Sequence, residues 1–394
     1  MKILYVLHNR SLDGSYLTWT NIVRSVCHDY DIVVVCPKEL KEIDEYKQLE
    51  KECNLKTYPM KVYVSFYGKP IFNIRNAYVF FKWCKNFIIS IVPKFLFLRK
   101  IFKIVRSERP TIIHTNTGVV HEAFIVAKLV NIPHIWHLRE YQDRDWGFWI
   151  YPTKFIYKCM LRFSSVIAIT NDVCNYFSVK KSTTTQVIYD GVEYENYAYP
   201  ISTTKDCYFL SACTIAPNKG IRDIILGFSE FSKQHSTYKL YLAGYDNSNY
   251  AYEMKELVRK LNLVNRVIFL GFQPKERVRF LMQKAKALIV ASYVEGFGLM
   301  TAEAAFNGTI VIGRNTGGTK EILDAIGGIR FDGDHHVLSS MMELVHNMTI
   351  TDYQSITEKA QRIAMNKYSI ENNVRQIKKL YTILINNYYG IKTT

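Results

Sequence analysis

The sequence predicts an α/β protein of two domains, each built on a parallel sheet with crossover helices. Its 394 residues exceed one ordinary hydrophobic core and suffice for two domains of about 150–200 residues each. Short β-branched runs alternate with helical patterns in both halves of the chain, which is typical of parallel sheets. A composition of 48% hydrophobic and 22% charged residues excludes a largely disordered or collagen-like chain.

The predicted strands are short, rich in β-branched residues and followed by polar residues or glycine. In the first half they are Ile3–Leu7, Ile32–Cys36, Thr111–His114, His134–His137, Val166–Thr170 and Gln186–Tyr189. In the second half they are Tyr208–Ala212, Lys239–Ala243, Val267–Leu270, Ala287–Ala291 and Thr309–Gly313. The predicted helices of that half are Ile221–Gln234, Tyr252–Leu261, Lys275–Ala285 and a closing helix from Ser369 to about Asn387. Low periodicity from Glu193 to Lys205 predicts a linker between the halves.

Charge and cysteine usage limit the compartment and the partners. The net charge of +16 predicts polyanionic partners, whether nucleic acid, nucleotide phosphates or an anionic membrane. The eight cysteines show no paired or metal-ligand spacing, which fits reduced thiols in the cytoplasm. No run of about 18 uncharged apolar residues occurs, which argues against a polytopic membrane protein. The opening run Ile3–Leu7 is shorter than an export segment needs.

The segment 53–107 contains no Asp or Glu, but it has 11 Lys/Arg and 13 aromatic residues. Apolar residues recur at helical spacing on both sides of Pro93. The members of this stripe are Phe80, Phe81, Cys84, Phe87, Ile88, Ile91, Phe95, Leu98, Ile101, Phe102 and Val105. The pattern predicts a pair of basic amphipathic helices that lie on an anionic membrane surface. The alternative is ordinary domain core with solvated charges.

The segment Glu295–Glu303 carries the most informative pattern, because a predicted strand leads through a glycine turn into a helix. Gly296 and Gly298 allow backbone amides to approach a ligand, and the helix start adds amides and a positive dipole. These features predict an anion site suited to a diphosphate, with Glu303 beside a ribose and Glu295 facing sugar hydroxyls. Each glutamate alone is more often a solvated surface charge. Phosphate-loop, dinucleotide, zincin and hydrolase motifs are missing.

Lys219 follows the predicted strand Tyr208–Ala212 and precedes a helix. A lysine at the carboxyl end of a strand in the same half can face the same site and neutralise a leaving diphosphate. The alternative is an ordinary turn lysine.

These segments resemble, over nearly the whole chain, the retaining nucleotide-sugar-dependent glycosyltransferases of family 4, which have the two-domain GT-B fold. The most specific similarities are the two glutamates of Glu295–Glu303, separated by seven residues, and the segment Asn315–Glu321. In the first half, His114–Thr117 and Pro133–Glu140 are similar to bacterial members that build surface polysaccharides such as capsule or lipopolysaccharide.

The resemblance implies a role for each matching residue. The residues implied to be catalytic are Glu295, His137 and Lys219. The residues implied to bind the donor are Gly14, Ser15, Lys219, Gly296, Phe297, Gly298, Leu299 and Glu303. Within this set the backbone amides and the lysine would hold the diphosphate, and His137 would contact the sugar from the opposite wall. For a histidine flanked by Trp136 and Leu138, a buried structural role is the alternative.

The resemblance also implies a domain organisation and a reaction. Residues 1–190 would form an acceptor-side Rossmann-like domain, 191–368 a nucleotide-sugar-binding domain, and 369–390 a helix crossing back to the first domain. The donor site would lie in the cleft between the domains. The enzyme would transfer a sugar, with retention of configuration, to a hydroxyl of a lipid-linked glycan. We expect it in the cytoplasm, peripherally on the inner face of the plasma membrane through residues 53–107.

Some residues depart from the family pattern. Thr214 replaces an arginine, so that some neutralisation of the phosphates is either missing or comes from another cation such as Arg222 or Arg314. Lys286 and Ile310 replace residues that are usually Asp and Pro.

No cofactor or metal is expected. The two Asp-x-Asp triplets, Asp143–Asp145 and Asp332–Asp334, lie away from Glu295–Glu303, and we interpret them as loop acids rather than metal ligands. Two other functions remain open: a nucleotide-sugar epimerase of the same fold, and a basic protein without enzymatic activity that binds nucleic acid or membrane. Nucleic acid is the less favoured partner, because no motif that reads RNA or DNA occurs.

Overall fold

A computed structural model describes residues 1–64, 66–68, 77–150, 152–192, 201 and 204–390. The chain divides into two compact units, Met1–Gly191 with Ile370–Thr394, and Val192–Ser369. The closing helix, Ile370–Tyr389, therefore belongs to the first unit, although it follows the second unit in the chain. Most of the predicted linker, residues 193–200 and 202–203, lies outside the described residues.

The first unit contains, among its described residues, a sheet of seven parallel strands. Its strands are β1 (Lys2–Val6), β2 (Asp31–Pro37), β3 (Lys56–Met60), β5 (Ile112–Thr115), β6 (His134–Leu138), β8 (Ser165–Ala168) and β9 (Thr185–Val187). The spatial order is β3-β2-β1-β5-β6-β8-β9. Two further strands, β4 (Phe66–Gly68) and β7 (Phe148–Ile150), pair antiparallel in a separate sheet. The order reverses between β1 and β5, as in doubly wound α/β folds.

Helices cover both faces of this sheet. They are α1 (Gly14–Val26), α2 (Lys38–Lys41), α3 (Asp44–Glu52), α4 (Ala77–Glu108), α5 (Glu122–Leu129), α6 (Asp143–Trp146), α7 (Lys154–Arg162), α8 (Asn171–Tyr176) and α16 (Ile370–Tyr389). Along β1, Ile3 and Tyr5 pack in one core cluster with α1 and α16, whereas Leu4 and Val6 pack in another with α4 and α5. Side chains alternate along a strand, so a strand buried on both faces is apolar throughout.

The second unit contains a sheet of six parallel strands within its described residues. They are β10 (Tyr208–Ala212), β11 (Lys239–Ala243), β12 (Val267–Gly271), β13 (Ala287–Val290), β14 (Val311–Arg314) and β15 (Ile329–Phe331), in the order β12-β11-β10-β13-β14-β15. The helices are α9 (Ile221–Phe231), α10 (Asn249–Lys260), α11 (Lys275–Lys284), α12 (Leu299–Phe306), α13 (Gly317–Ile326), α14 (His335–His346) and α15 (Ile350–Tyr368). The predicted α/β class with two Rossmann-like units is confirmed.

Helix α4 differs from the predicted pair of helices. Ala77–Glu108 forms one helix of 32 residues with Pro93 inside it. A proline removes one backbone hydrogen bond, but it need not end a helix whose next turns are held by packing. After Pro93, the side chains of Phe97, Ile101 and Val105 are buried in the sheet core, and they supply that packing.

The apolar stripe predicted for this segment divides between core and surface. Ile101 and Val105 are buried, but Phe81, Ile88 and Phe95 are 69%, 64% and 58% exposed. The side chains of Phe80, Lys82 and Phe87 lie outside the described part of the structure. None of the helices in the described part is both long enough and apolar enough to cross a membrane.

The sequence analysis does not predict the strands β3 and β15, which lie at sheet edges, and each omission has a physical reason. β3 contains Pro59, which cannot donate to a neighbouring strand and is therefore tolerated at a sheet edge. β15 has only three residues, Ile329–Phe331, and too few alternations to reveal a strand.

A pair of alanine substitutions tests the close contact between the turn after β10 and the end of β13. Gly220 has φ +67°, and a Cβ there would lie 2.2 Å from the carbonyl oxygen of Ala291. Gly327 has φ +78°, and apart from its own atoms and its chain neighbours no heavy atom of the described residues lies within 4 Å of its Cβ position. We expect Gly327→Ala to cost about 1 kcal/mol of unfolding free energy, from backbone strain alone. Gly220→Ala should cost about 2 kcal/mol more, because the turn must move. Urea unfolding of both variants measures the difference, and equal costs would contradict the contact.

Candidate functional site

The carboxyl ends of β10 and β13 bring Lys219 and Glu295 together. Lys219 ends a short 3-10 turn, Pro217–Lys219, directly after β10. Tyr293 donates its backbone N–H to the carbonyl oxygen of Asn218 at 2.9 Å, which ties this turn to the loop after β13. The Nζ of Lys219 lies 2.9 Å from Oε2 of Glu295. These two side chains keep 26% and 22% of their surface exposed, so the ion pair remains accessible to a ligand.

The loop from Glu295 to Gly298 is held against the start of α13. Gly318 donates its backbone N–H to the carbonyl oxygen of Glu295 at 2.8 Å. A Cβ at Gly318 would lie 2.0 Å from the carbonyl oxygen of Phe297, so only glycine allows this approach. Gly298 has φ +92° and precedes the first residue of α12. The motif Asn315–Glu321 is thus explained locally, since its helix start holds the loop that carries Glu295.

A cavity of about 90 Å³ lies over these strand ends. Its lining residues are Ser211, Ala212, Cys213, Lys219, Ile289, Val290, Ala291, Ser292, Glu295, Gly298, Leu299 and Met300. Leu299 and Met300 are the first two residues of α12, whose amide groups cannot be paired within the helix. An ammonium group and a helix N-terminus favour an anion, and the carboxylate can accept hydrogen bonds from hydroxyl groups.

The other predicted donor residues of this unit, Gly296, Phe297 and Glu303, do not line the cavity, but they are close in sequence to residues that do. Glu303 is partly buried in the second turn of α12, and Gly296 is also partly buried, in the loop before the helix. The side chain of Phe297 is 5% exposed, and its ring packs on Tyr368 with centroids 5.9 Å apart. Phe297 therefore contributes packing through its ring, and its backbone can still take part in the loop.

The two cations considered as substitutes for the missing arginine have different surroundings. Arg314 donates from Nε to the carbonyl oxygen of Ala291 at 3.0 Å and pairs with Asp223 at 2.5 Å. Its side chain is 12% exposed, and it holds loops together. Arg222 is exposed in the first turn of α9, and Thr214 is exposed after β10.

In the first unit, Gly14 and Ser15 open helix α1. Asp13 caps this helix by accepting from the backbone N–H of Tyr16. Asn9 donates to Asp13 at 2.8 Å and to the hydroxyl of Ser15 at 2.6 Å, which fixes the loop after β1. Gly14 is exposed, and apart from its chain neighbours and its own helix backbone no heavy atom of the described residues lies within 4 Å of its Cβ position. The Gly14-Ser15 turn is thus an ordered helix start with an open side.

His137 lies in β6 and is fully buried. Its Nδ1 is 3.2 Å from Nε2 of His114 and 3.4 Å from Nη2 of Arg139. Burial, and then the charge of Arg139, hold the pKa of His137 well below its usual value. His137 is therefore a neutral imidazole near pH 7. His137 is buried, as the alternative interpretation of it expects, but its Nε2 has no hydrogen-bond partner among the described residues.

Arg139 is a key residue that the sequence analysis missed, although it lies in the segment Pro133–Glu140. Its guanidinium pairs with Asp190 at 2.6 Å and donates to Asn116 at 3.0 Å. Asn116 in turn donates to the carbonyl oxygen of Ser15 at 3.3 Å. Ser15 and His137 are thus connected through one buried network. Burial raises the pKa of Asp190, and the guanidinium opposes this shift.

The acids of the two Asp-x-Asp triplets have structural partners. Asp145 accepts from the backbone N–H of Tyr141 at 2.6 Å, and Asp143 accepts from the hydroxyl of Tyr176 at 2.5 Å. Asp332 accepts from Asn315 at 2.8 Å, and Asp334 caps α14. In the described part of the chain, one group could offer three ligands to a metal ion: Glu230, His335 and His336. It contains none of the triplet residues.

Comparison with known proteins connects the cavity to one enzyme family. Residues 200–347 match the model of the family described as glycosyl transferases group 1. That range includes Lys219, Glu295 and Glu303, and it supports a glycosyltransferase.

Individual relatives are more distant. The chain is 25% identical to alpha-monoglucosyldiacylglycerol synthase of Streptococcus pneumoniae over 45% of this chain and 40% of that protein. It is 27% identical to GDP-mannose:cellobiosyl-diphosphopolyprenol alpha-mannosyltransferase of Xanthomonas oryzae pv. oryzae, over 39% of this chain and 40% of that protein. The matches span 20 to 58% of the length of the first curated relatives.

The fold is similar over its whole length to a solved structure. HepE from Anabaena in complex with UDP and glucose superposes with a TM-score of 0.71 at 19% identity, covering 97% of this chain and 100% of that one. At this identity the likeness shows the fold alone, which is the GT-B fold predicted above.

Glu140 is the last residue of the segment Pro133–Glu140, and its environment predicts that the stability of the protein depends on pH. Its Oε1 accepts from Thr117 at 2.7 Å and from the backbone N–H of Gly118 at 3.2 Å. Burial raises the pKa of Glu140 from 4.5 to about 7. Because the folded state binds this proton more tightly, the stabilisation is full below the unfolded pKa and is lost as the pH rises through about 7.

Substitution of Glu140 isolates this contribution. Between about pH 5 and pH 8, the wild type should lose about 2–3 kcal/mol of unfolding free energy relative to Glu140→Gln, which cannot titrate. Urea unfolding at both pH values measures it. A wild-type-minus-variant difference that does not change with pH would show that the carboxyl is not held in its neutral form.

Proposed function

We propose that this protein is a group 1 glycosyltransferase that moves a sugar from a nucleotide-diphosphate donor to a hydroxyl of an acceptor glycan. The observation that carries the proposal is the Lys219–Glu295 pair, 2.9 Å apart at the edge of a cavity lined by the start of α12. Such a donor consists of a diphosphate and a polyol. The cation and the helix N-terminus suit the diphosphate, and the carboxylate suits the hydroxyl groups of the polyol. The family match over 200–347 supports the same assignment.

Each group has a distinct part in the proposed reaction. Lys219 and the backbone amides at the start of α12 stabilise the negative charge of the leaving diphosphate. Glu303 accepts hydrogen bonds from the ribose, while Glu295 holds the donor sugar. With the donor bound, the ammonium exchanges its carboxylate partner for the phosphates, which is feasible because a partly exposed ion pair is weak. We propose retention of configuration, with attack on the face from which the diphosphate departs, and no requirement for a metal ion.

The acceptor in this proposal is a lipid-linked glycan of surface polysaccharide synthesis. Two relatives with sequence similarity are named for lipid-bearing molecules, a diacylglycerol in one name and a diphosphopolyprenol in the other. An acceptor of this kind places its hydroxyl near a membrane surface. The enzyme must then work at that surface, which we propose to be the inner face of the plasma membrane.

Helix α4 is the proposed membrane-binding surface. Ile88, Ile89, Val92, Phe95 and Leu96 are 51 to 64% exposed, a cluster of apolar side chains on one helix. Single exposed apolar residues are normal, but a cluster of this kind is typical of an interaction site.

Basic residues surround a cavity next to this cluster. The cavity has a volume of about 470 Å³ and is lined by Lys61, Tyr63, Pro93, Leu96, Phe97, Arg99, Lys100 and Lys103. Acidic residues are missing from the whole segment 53–107, which leaves the local charge strongly positive. Apolar side chains beside cations are suited to a membrane with anionic headgroups.

Calorimetric titration of UDP, GDP and ADP tests the donor site. In a buffer with a chelator and no added metal, we expect the wild type to bind one nucleotide. Glu303→Ala should weaken that binding at least about tenfold, since a charged hydrogen-bond acceptor is lost. Glu295→Ala should leave nucleotide binding almost unchanged and lower the turnover of sugar transfer.

Glu276 provides the matched control, because it is an exposed glutamate of the same unit in α11 and outside the cavity. Glu276→Ala should bind and transfer like the wild type. Transfer at the wild-type rate by both Glu303→Ala and Glu295→Ala would refute the site. Product analysis with donor alone distinguishes transfer from epimerisation, since an epimerase converts the donor without an acceptor.

Vesicle sedimentation tests the membrane surface. The wild type should bind vesicles with about 30% phosphatidylglycerol and not pure phosphatidylcholine, because each basic residue near such a surface contributes about 1 kcal/mol. The triple variant Arg99→Gln/Lys100→Gln/Lys103→Gln should lose at least about tenfold in binding. A control with the same net charge is Lys233→Gln/Lys239→Gln/Lys260→Gln, at exposed positions of the second unit. Equal losses in the two variants would mean that net charge, and not α4, drives the binding.

A further inference from the structure

The first unit contains a second basic cavity, apart from the one beside α4. Its volume is about 440 Å³, within the range of about 300–1,000 Å³ that is typical of small-molecule sites. Among the described residues, none of those that line it is acidic. Its polar lining includes the cations Lys158, Arg162 and Lys180 and the hydroxyl groups of Ser178, Ser182 and Thr184. The cavity therefore combines positive charge with hydrogen-bond donors.

This cavity lies at the edge of the sheet where the strands begin. Ser164 and Thr185 also line it; Ser164 directly precedes β8, and Thr185 is the first residue of β9. The ligands of doubly wound folds usually bind at the opposite edge, outside the carboxyl ends of the strands. Gly14 and Glu140 lie at that opposite edge, after β1 and β6. The cavity is therefore separate from the predicted site residues of the same unit.

Acids do not neutralise the three cations of the cavity. Among the described residues, Lys158, Arg162 and Lys180 form no ion pair. The surrounding sequence, residues 147–189, has five basic residues and a single acid, Asp172. Like charges that are held close together repel one another, and a bound anion removes this repulsion. The cavity thus favours an anion that carries more than one negative charge.

Two hydroxyl groups of the cavity are oriented before any ligand binds. The Nζ of Lys158 donates to the hydroxyl oxygen of Ser178 at 2.8 Å. The backbone N–H of Thr184 donates to the hydroxyl oxygen of Ser182 at 3.3 Å. Because each of these oxygens accepts a hydrogen bond, its own hydrogen can be donated to a ligand. Donors that are already ordered lower the entropic cost of binding.

Helix α7 places an apolar face next to the cations. Lys158 and Arg162 are four residues apart and therefore share one face of this helix. Phe155 and Phe163, which are eight residues apart, lie on the neighbouring face and are 76% and 67% exposed. Exposed aromatic side chains beside cations suit the headgroup layer of a membrane. The cavity accordingly suits a phosphate on a lipid as well as a phosphate on a soluble molecule.

We propose that this cavity binds a phosphate monoester, carried either by a lipid headgroup or by a soluble molecule. Such a group has a charge of about −1.5 to −2 at pH 7 and three oxygen atoms that accept hydrogen bonds. Lys158, Arg162 and Lys180 provide the opposite charge, and the hydroxyl groups of Ser178 and Ser182 provide further donors. The site is additional to the nucleotide-sugar site proposed for the second unit and does not depend on it.

Calorimetric titration with glycerol 3-phosphate tests the soluble form of this ligand without any sugar donor. We expect the wild type to bind it, and Arg162→Gln/Lys180→Gln to bind at least about tenfold more weakly, because two charge-assisted hydrogen bonds are lost. Lys51→Gln/Lys379→Gln is the matched control, since it removes the same charge from two exposed positions of the first unit outside the cavity. This control should bind like the wild type.

Sedimentation with vesicles distinguishes a lipid from a soluble source. Vesicles of phosphatidylcholine with about 30% phosphatidic acid present a phosphate monoester on a membrane surface. A loss of vesicle binding by Arg162→Gln/Lys180→Gln, at least about tenfold beyond that of the control, supports the site with a lipid ligand. A loss confined to glycerol 3-phosphate supports the site with a soluble ligand. If neither ligand is lost beyond the control, the proposal is overturned.

A variant of the second unit separates this site from the proposed donor site. Lys219→Ala should retain the binding of glycerol 3-phosphate, because Lys219 does not line this cavity. Binding that is lost in Lys219→Ala and kept in Arg162→Gln/Lys180→Gln would place the phosphate in the second unit and overturn the proposal. If the protein transfers no sugar from any donor, the proposed function fails, and these binding results still decide whether the cavity is a phosphate site.

Discussion

The site in the second unit depends on the close approach of backbone segments at the carboxyl ends of its parallel strands. Gly220 lies against Ala291, Gly318 against Phe297, and Gly244 against Cys213, each with a Cβ position 1.9 to 2.2 Å from a carbonyl oxygen. Any side chain larger than hydrogen would separate these loops. The ionic contact between Lys219 and Glu295 is possible only because residues 76 positions apart are brought to one edge of the sheet. The charged side chains determine which ligands the cavity can bind, whereas the glycines determine how closely its backbone segments approach one another.

The first unit differs, because its hydrophobic interior contains polar side chains that must be kept in order. Arg139 makes this possible because it is always charged, always a donor and paired with Asp190. Removing either partner would leave an uncompensated charge in the core, which typically costs about 3–5 kcal/mol. Such networks contribute little net stability when complete, but they allow one arrangement of protons and rotamers. The neutral histidines therefore have a defined orientation.

The sequence predicts the fold class because both halves alternate apolar runs with helical patterns. Two strands, Tyr208–Ala212 and Lys239–Ala243, have the predicted bounds, and the others differ by one or two residues at an end. It also predicts that Lys219 and Glu295 share a site, since both follow strands whose carboxyl ends meet at one sheet edge. It could not reveal Arg139–Asp190 or Tyr381–His114, because these pairs join residues 51 and 267 positions apart through tertiary packing alone. The prediction of two helices separated at Pro93 was wrong, because local sequence rules do not include the packing of Phe97 and Ile101 on the sheet, which stabilises one continuous helix α4.

The two units thus hold their polar groups in different ways. The cavity of the second unit has partly exposed charges that can exchange partners, as binding and release of a diphosphate require. In the first unit the rings of His114 and His137 are neutral and buried, beside the charged pair of Arg139 and Asp190. The second unit therefore offers exchangeable charge for a diphosphate, whereas the polar groups in the core of the first unit are fixed by their buried partners.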